Sequence, residues 1–247
     1  MLYVLLGMHK SGTTLLSQIL HDSGIHMGSF DESKGYDEGN KYERLETHDL
    51  NIEMLGYDYK ELSINIATVV QDSATIKPEI LSKIKSFIAA QSAQSQDWGF
   101  KDPRTCLTYH IWEKVLPPHK LIAIFRHPSE LWGHYRRASL LHVLMNISRC
   151  WKALHAWYIH NIEILKIIKA REGDYYLAEY HAFMTEDRMF KKFCDFTGRP
   201  LKDCRNPGMY RSKINNDFLF NLMLWIQKSF FARDIMALYE ELKKLVS

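Results

Sequence analysis

The chain is poor in cysteine. Cys106, Cys150, Cys194 and Cys204 are the only four in 247 residues, and no two form a C-x-x-C pair. A chain of this length needs no disulfide staples, which excludes a small disulfide scaffold and favours a reduced, cytoplasmic setting. No window approaches the roughly 20 apolar residues of a membrane span. The opening "MLYVLLG" has no basic n-region and too short an apolar run for a secretory signal, so the N-x-S sequon at Asn146 is read as chance. Charge of one sign is also lacking. Lys and Arg number 32 against 29 Asp and Glu, a net of +3. That excludes the concentrated basic face of a nucleic-acid binder but leaves room for a local anion site. There is no internal repeat, no low-complexity linker and no HExxH. His155 and His160, five apart, do not share a helix face well, so no metal site is expected.

What the chain has is enough apolar character, 46% of residues, for a real core. A single domain over 1–247 is expected. Four short apolar runs read as buried strands: 2–6, 97–101, 120–125 and 174–179, each followed by a turn and a helical pattern. That order predicts an α/β fold of three layers, a central, mostly parallel sheet flanked by helices. Helices are expected over 13–23, 39–56, 77–93, 107–115, 128–142, 149–171, 183–197 and about 217–245. In 149–171 the stripe is Trp151, Leu154, Tyr158, Ile162 and Leu165. The aromatics Phe218, Phe220, Trp225, Phe230 and Phe231 are expected in the core. Residues 26–48, rich in Gly, Asp and Glu, begin as a loop that either reaches the sheet's carboxyl edge or is a solvated insertion.

The first apolar run leads into Gly7-Met-His-Lys-Ser-Gly12-Thr13-Thr14. Its two glycines frame a turn whose amides, backed by a helix N-terminus, make an anion nest. An ATP-binding loop places lysine after the second glycine, with Ser/Thr on Mg²⁺. Here Thr13 takes the lysine's place, and Lys10 lies inside the turn. A magnesium triphosphate site also wants an acidic residue at a neighbouring strand end, but the run "LIAIF" ends in Arg126. Side-chain cations thus stand where a metal ion would be.

On these residues the chain resembles the P-loop sulfotransferases, bacterial-type members above all, which use 3′-phosphoadenosine 5′-phosphosulfate (PAPS). "GMHKSGTT" is similar to the family's 5′-phosphosulfate loop, and "LIAIFRHPSELWGHYRRAS" to its 3′-phosphate segment. "WGFKDPR" is similar to a K-D-P-R turn, and "YYLAEYHAFM" places Tyr180 on the tyrosine of a Y-E-D stretch. The resemblance covers most of the chain in the expected order. It implies PAPS as donor, 3′,5′-bisphosphoadenosine as product, no required metal, and a small-molecule or glycan acceptor. It implies nucleotide contacts at His9, Lys10, Ser11, Gly12, Thr13, Thr14, Arg126, His134 and Tyr180. His134 occupies the place of a phosphate-bonding serine, with Arg136, Arg137 or Ser139 as alternatives, and His181 replaces an acidic residue. The family's basic loop near the C-terminus is not found; "MYRSKINND", with Arg211 and Lys213, is the substitute.

Sulfuryl transfer moves SO₃ from a phosphate oxygen to a hydroxyl or amine, and charge builds on the oxygen left behind. Lys10 suits the role of stabilising that charge. Arg126, at a strand's carboxyl end, suits bidentate phosphate contact or a structural ion pair. Glu43 is the first candidate base, although a glutamate in a helix's first turns also suits the dipole. Lys101 and Asp102 follow the second strand; Asp102 is base, orienter or partner of Arg104. Pro103 stands where other members carry a histidine base, and His9 and His48 are weaker alternatives. Two other readings remain: a small-molecule or nucleotide kinase with an altered loop, and a non-catalytic phosphate-binding module.

Overall fold

A computed structural model describes residues 1–29, 42–57, 63–69, 76–137, 143–171, 173–210 and 217–247. Among them, four parallel strands form one sheet: β1 (Leu2–Leu6), β2 (Trp98–Lys101), β3 (His119–Phe125) and β4 (Tyr175–Glu179). The order is β2-β1-β3-β4, with Leu5 opposite Lys101, Leu6 opposite Ala123 and Phe125 opposite Glu179. Helices cover both faces, so the strands read as unbroken apolar runs instead of alternating ones. Alternation survives as a division between two cores. Val4, Leu6, Phe100, Leu121 and Phe125 pack to one side, Tyr3, Leu5, Ile122, Ile124 and Tyr176 to the other.

The helices are α1 (Thr13–Asp22), α2 (Leu45–Leu55), α3 (Pro78–Gln94), α4 (Thr105–Trp112), α5 (Pro128–Tyr135), α6 (Val143–Ala170), α7 (Tyr180–Thr185), α8 (Asp187–Thr197), α9 (Phe218–Phe231) and α10 (Ile235–Lys244). The chain runs from β1 to β2 on one side, then returns to place β3 on the other. The strand order therefore reverses between β1 and β3, and α/β folds bind ligands at the carboxyl ends beside such a reversal. A buried polar network fixes α2 on α4 near this edge. Asn51 Nδ2 donates to Thr105 Oγ1 at 2.9 Å, while Thr108 Oγ1 and Trp112 Nε1 donate to Asn51 Oδ1 at 2.7 and 2.9 Å.

Several expected elements differ. The helix expected over 39–56 starts only at Leu45, because Tyr42 has a φ of 60° and Arg44 is extended; 39–41 lie outside the described residues. Leu45 is exposed instead of core. The helix expected over 128–142 ends at Tyr135, where Arg136 becomes extended, and 138–142 lie outside the description. The segment 183–197 is preceded by the separate α7 and broken at Glu186, whose backbone is extended. The segment 217–245 is two helices, parted at Ala232 with a left-handed φ of 52°. The largest correction concerns its aromatics. Phe220 alone enters the core, while Phe218, Trp225, Phe230 and Phe231 are exposed. The buried face of α9 is only Phe220, Met223 and Gln227, one residue per turn, which leaves the others no interior to enter.

Candidate active site

The phosphate-type loop joins β1 to α1 and is shaped by close contacts. The Ser11 amide donates to Met8 O at 3.1 Å, and the Gly7 amide to Cys106 Sγ at 3.2 Å. Gly12 has a φ of 100°, and a Cβ there would lie 2.2 Å from the Tyr180 ring. Only glycine fits both the conformation and the space. Lys10 is also left-handed, with a φ of 65°, a sparsely populated state for a residue with a side chain. Lys10 is exposed, Thr14 half-buried, and Ser11 and Thr13 buried. The first rung of α1 is Leu15 N to Gly12 O at 3.1 Å, so the amides ahead of it lie at the positive end of the helix. Ser11 Oγ is buried and has no hydrogen-bond partner among the described residues.

Arg126, the first residue after β3, ties this loop to two other predicted positions, His134 and Tyr180. Its Nη1 donates to Lys10 O at 3.0 Å and to His134 Nε2 at 2.9 Å. Its guanidinium lies 4.2 Å from the centre of the Tyr180 ring. Its Nε donates to Glu130 Oε2 at 2.7 Å, so the structural ion pair and the meeting of site residues occur together. Because a guanidinium only donates, His134 Nε2 is the acceptor here, and this nitrogen carries no proton. Tyr210 completes the arrangement. Its hydroxyl donates to Glu130 Oε1 at 2.9 Å, and its ring meets Tyr180 edge-on at 5.4 Å. Glu179 lies beneath, with Oε2 accepting from the Ala182 amide at 2.8 Å; burial pushes this carboxyl above its ordinary pKa.

A second cluster forms at the end of β2. Glu43 sits before α2, not within its first turns, and its carboxylate pairs with the buried Lys101 ammonium. The neighbouring Arg44 holds it there: Nε donates to Gly99 O at 2.8 Å, Nη1 to Gln91 Oε1 at 2.6 Å and Nη2 to His26 O at 2.6 Å. Burial lowers the Arg44 pKa to about 10, which still leaves it charged at neutral pH. Asp102 is the partner of Arg104: it accepts from the Arg104 amide at 2.7 Å and from Nη1 at 2.9 Å. Burial raises the Asp102 pKa, and Arg104 opposes the rise.

His9 bridges the two clusters. Its Nδ1 is buried without a partner, and burial, then the charges of Arg104, His160, Lys101 and Lys10, holds its pKa well below the ordinary value. His48 is buried, with Nδ1 3.1 Å from Asp49 Oδ1. The structure thus brings together His9, Lys10, Ser11, Gly12, Thr13, Thr14, Arg126, His134 and Tyr180 along one sheet edge, with Glu43, Lys101 and Asp102 beside them. Arg211 lies outside the described residues, as do Ser139 and Lys213. Trp132, on α5, is fully buried in the core. Sequence reasoning missed Glu130, Tyr210, Arg44 and His160. Of these, Tyr210 and Glu130 carried a signal, since they lie within the "MYRSKINND" and "LIAIFRHPSELWGHYRRAS" segments.

No protein-family model matches the chain, and no curated protein matches it in sequence. Solved structures do match in shape. The sulfotransferase domain from the Synechococcus PCC 7002 olefin synthase superposes with a TM-score of 0.55 at 16% identity, covering 98% of this chain and 94% of that one. The sulfotransferase domain from the curacin biosynthetic pathway gives 0.54 at 13% identity, covering 98% and 96%. Identities this low speak for the backbone and not for the chemistry, and what they establish is that the chain has the fold of these sulfotransferase domains.

Proposed function

We propose that the chain, acting as a single domain over 1–247, transfers a sulfuryl group from PAPS to a hydroxyl or amine of a small-molecule or glycan acceptor, with no divalent metal required. The observation that carries this reading is the Arg126 bridge. One guanidinium at the end of β3 bonds the carbonyl of Lys10 in the loop and the ring of His134, and lies on Tyr180. That contact between the loop backbone and the segment after β3 supports reading them as one site, with a guanidinium at the strand end where an ATPase carries a carboxylate for magnesium.

The residues fit the nucleotide. Among the described residues Ser11 Oγ is a buried oxygen without a hydrogen-bond partner, and Gly12 lets the turn lie directly against the Tyr180 ring. Ser11, Gly12, Thr13 and Thr14 would hold the 5′-phosphosulfate, with His9 behind them. Arg126 and His134 would hold the 3′-phosphate, with Tyr180 and Arg211 at its border. When bound, PAPS supplies the SO₃ group on a phosphate oxygen. Lys10 stabilises the charge left on that oxygen and can return a proton to it. Glu43 is the assigned base for the acceptor hydroxyl. Lys101 holds its carboxylate in place, and Asp102 orients the turn through Arg104.

Calorimetry of the chain with 3′,5′-bisphosphoadenosine in EDTA tests the reading. Binding without metal is the expected result. No heat at high micromolar ligand, together with ATP binding that appears only on adding Mg²⁺, would replace it with the kinase reading.

A further inference from the structure

The exposed apolar residues are not scattered. Apart from Met1 and Leu45, every large hydrophobic exposed among the described residues lies on α6's first turns or on α9. They are Leu144 (82% exposed), Met145, Ile147, Phe218 (83%), Trp225 (57%), Phe230 (68%) and Phe231. Ring contacts join them into one surface. Trp225 meets Phe230 at 5.6 Å, and Phe231 meets Trp151 at 4.8 Å. Leu144, Ile147 and Trp151, at i, i+3 and i+7, share one face of α6, and Phe218 and Trp225, seven apart, share one face of α9. A continuous apolar surface left to water marks a contact site.

Its charge says what it contacts. The sequence from Arg136 to Ile162 contains no Asp or Glu, and neither does that from Phe218 to Arg233, although the chain has 29. Within these stretches Arg137 and Lys152 are exposed, and Lys228 is exposed but paired with Asp234. The flanking acids are already engaged: Asp217 pairs with Arg136 at 3.3 Å and Asp234 with Lys228 at 2.7 Å. The partner is therefore anionic and apolar at once. The face's most exposed members are Leu144, Phe218 and Phe230. A deformable apolar medium takes such tips without a matching mould. Aromatic tips among cations on a helix about 21 Å long are the pattern of a helix lying in a membrane interface.

We propose that this face, α9 with the first turns of α6, docks the chain on an anionic lipid surface. Attachment is peripheral, since no helix among the described residues is long and apolar enough to cross a membrane. The inference stands independently of the sulfuryl-transfer reading, because neither the apolar residues of this face nor Lys152 and Lys228 belong to the candidate active site.

The experiment is co-sedimentation of the full chain with phosphatidylcholine vesicles, with and without phosphatidylglycerol, at low and high salt. The expected result is binding that needs phosphatidylglycerol and weakens with salt, each cation near the surface contributing modestly. Tryptophan emission should shift to the blue on binding, and Trp225→Phe should remove most of that shift. The triple variant Phe218→Ser, Trp225→Ser, Phe230→Ser should bind about a hundredfold more weakly or worse, from the apolar area lost. Lys152→Glu with Lys228→Glu should remove the dependence on anionic lipid. Equal behaviour toward both vesicle types, or no binding to either, overturns the proposal. So does a concentration-dependent dimer in sedimentation velocity that the serine substitutions abolish, which would mean that a second copy covers the face.

Discussion

Lys10 combines two features that a substitution can separate. Its backbone is held in the left-handed region, at a cost on the order of 1–2 kcal/mol, while its carbonyl anchors Arg126. Truncation to Ala removes the ammonium and keeps both. Release of label from PAPS across an acceptor panel should fall by about 10²–10³, the usual loss for one donor at a developing anion, while bisphosphoadenosine binding changes little. Lys10→Gly relieves the backbone as well and should be equally slow; a Gly variant with near-normal turnover would show that conformation, not charge, was the issue. Glu43 and Lys101 make a different residue-scale case. Both are buried, so removing one strands the other in a low dielectric. Lys101→Met should cost about 3–5 kcal/mol in urea unfolding, and adding Glu43→Leu should recover most of it. Full additivity of the two losses would argue against their pairing.

At the scale of elements, the meeting of the β1–α1 loop with α7 depends on a missing side chain. A Cβ at Gly12 would collide with Tyr180, whose ring is itself pinned by Arg126 and Tyr210. Gly12→Ala should lower stability by a few kcal/mol, on the order of the 1–3 kcal/mol for overpacking plus the φ penalty, and abolish bisphosphoadenosine binding. Thermal unfolding of Gly12→Ala with Tyr180→Ala should return the overpacking part only. If Gly12→Ala binds normally, the loop is not shaped by this contact. The elements that set this site were legible in the sequence because strands buried on both faces are continuous apolar runs and their ends are where glycine, arginine and tyrosine fall. Leu2–Leu6 matches its expected bounds, and β2, β3 and β4 each match to within one residue. The breaks were not legible. Ala232 favours helix by propensity, yet it is left-handed and caps α9, with the Arg233 amide donating back to Gln227 O at 3.0 Å. The exposure of α9's aromatics was hidden too, since composition counts apolar residues without saying which face has a neighbour. Tyr210 and Arg44 escaped because their roles arise across sequence separations of 80 (Tyr210 to Glu130) and 55 (Arg44 to Gly99), where no local pattern points, whereas Glu130 stands only four residues after Arg126, a spacing open to sequence reading.

For the molecule as a whole, buried histidines set the response to acid. His160 donates Nδ1–H to Ala156 O at 2.8 Å, leaves Nε2 buried without a partner, and has its pKa lowered to about 4 by burial. His9, His119, His127 and His155 are also lowered, in each case first by burial. Above the unfolded value of about 6.5 these groups are neutral in both states and pH has no leverage through them. As pH falls below it, the unfolded chain takes protons that the folded chain refuses. Unfolding free energy then drops by about 1.4 kcal/mol per pH unit for each such histidine, until the folded pKa is reached. Asp102 acts in the opposite sense. Its raised pKa makes the folded state the better proton acceptor above about pH 3.8, so it regains stability on acidification and offsets one histidine over part of the range. Several depressed histidines against two raised carboxyls, Asp102 and Glu179, leave a net loss. Thermal unfolding should therefore fall steeply from pH 6.5 toward 5. His160→Gln, which can still donate an N–H toward Ala156 O but cannot titrate, should show a slope shallower by one histidine's worth. An unchanged slope in that variant would mean that His160 takes up its proton as readily inside the fold as outside it.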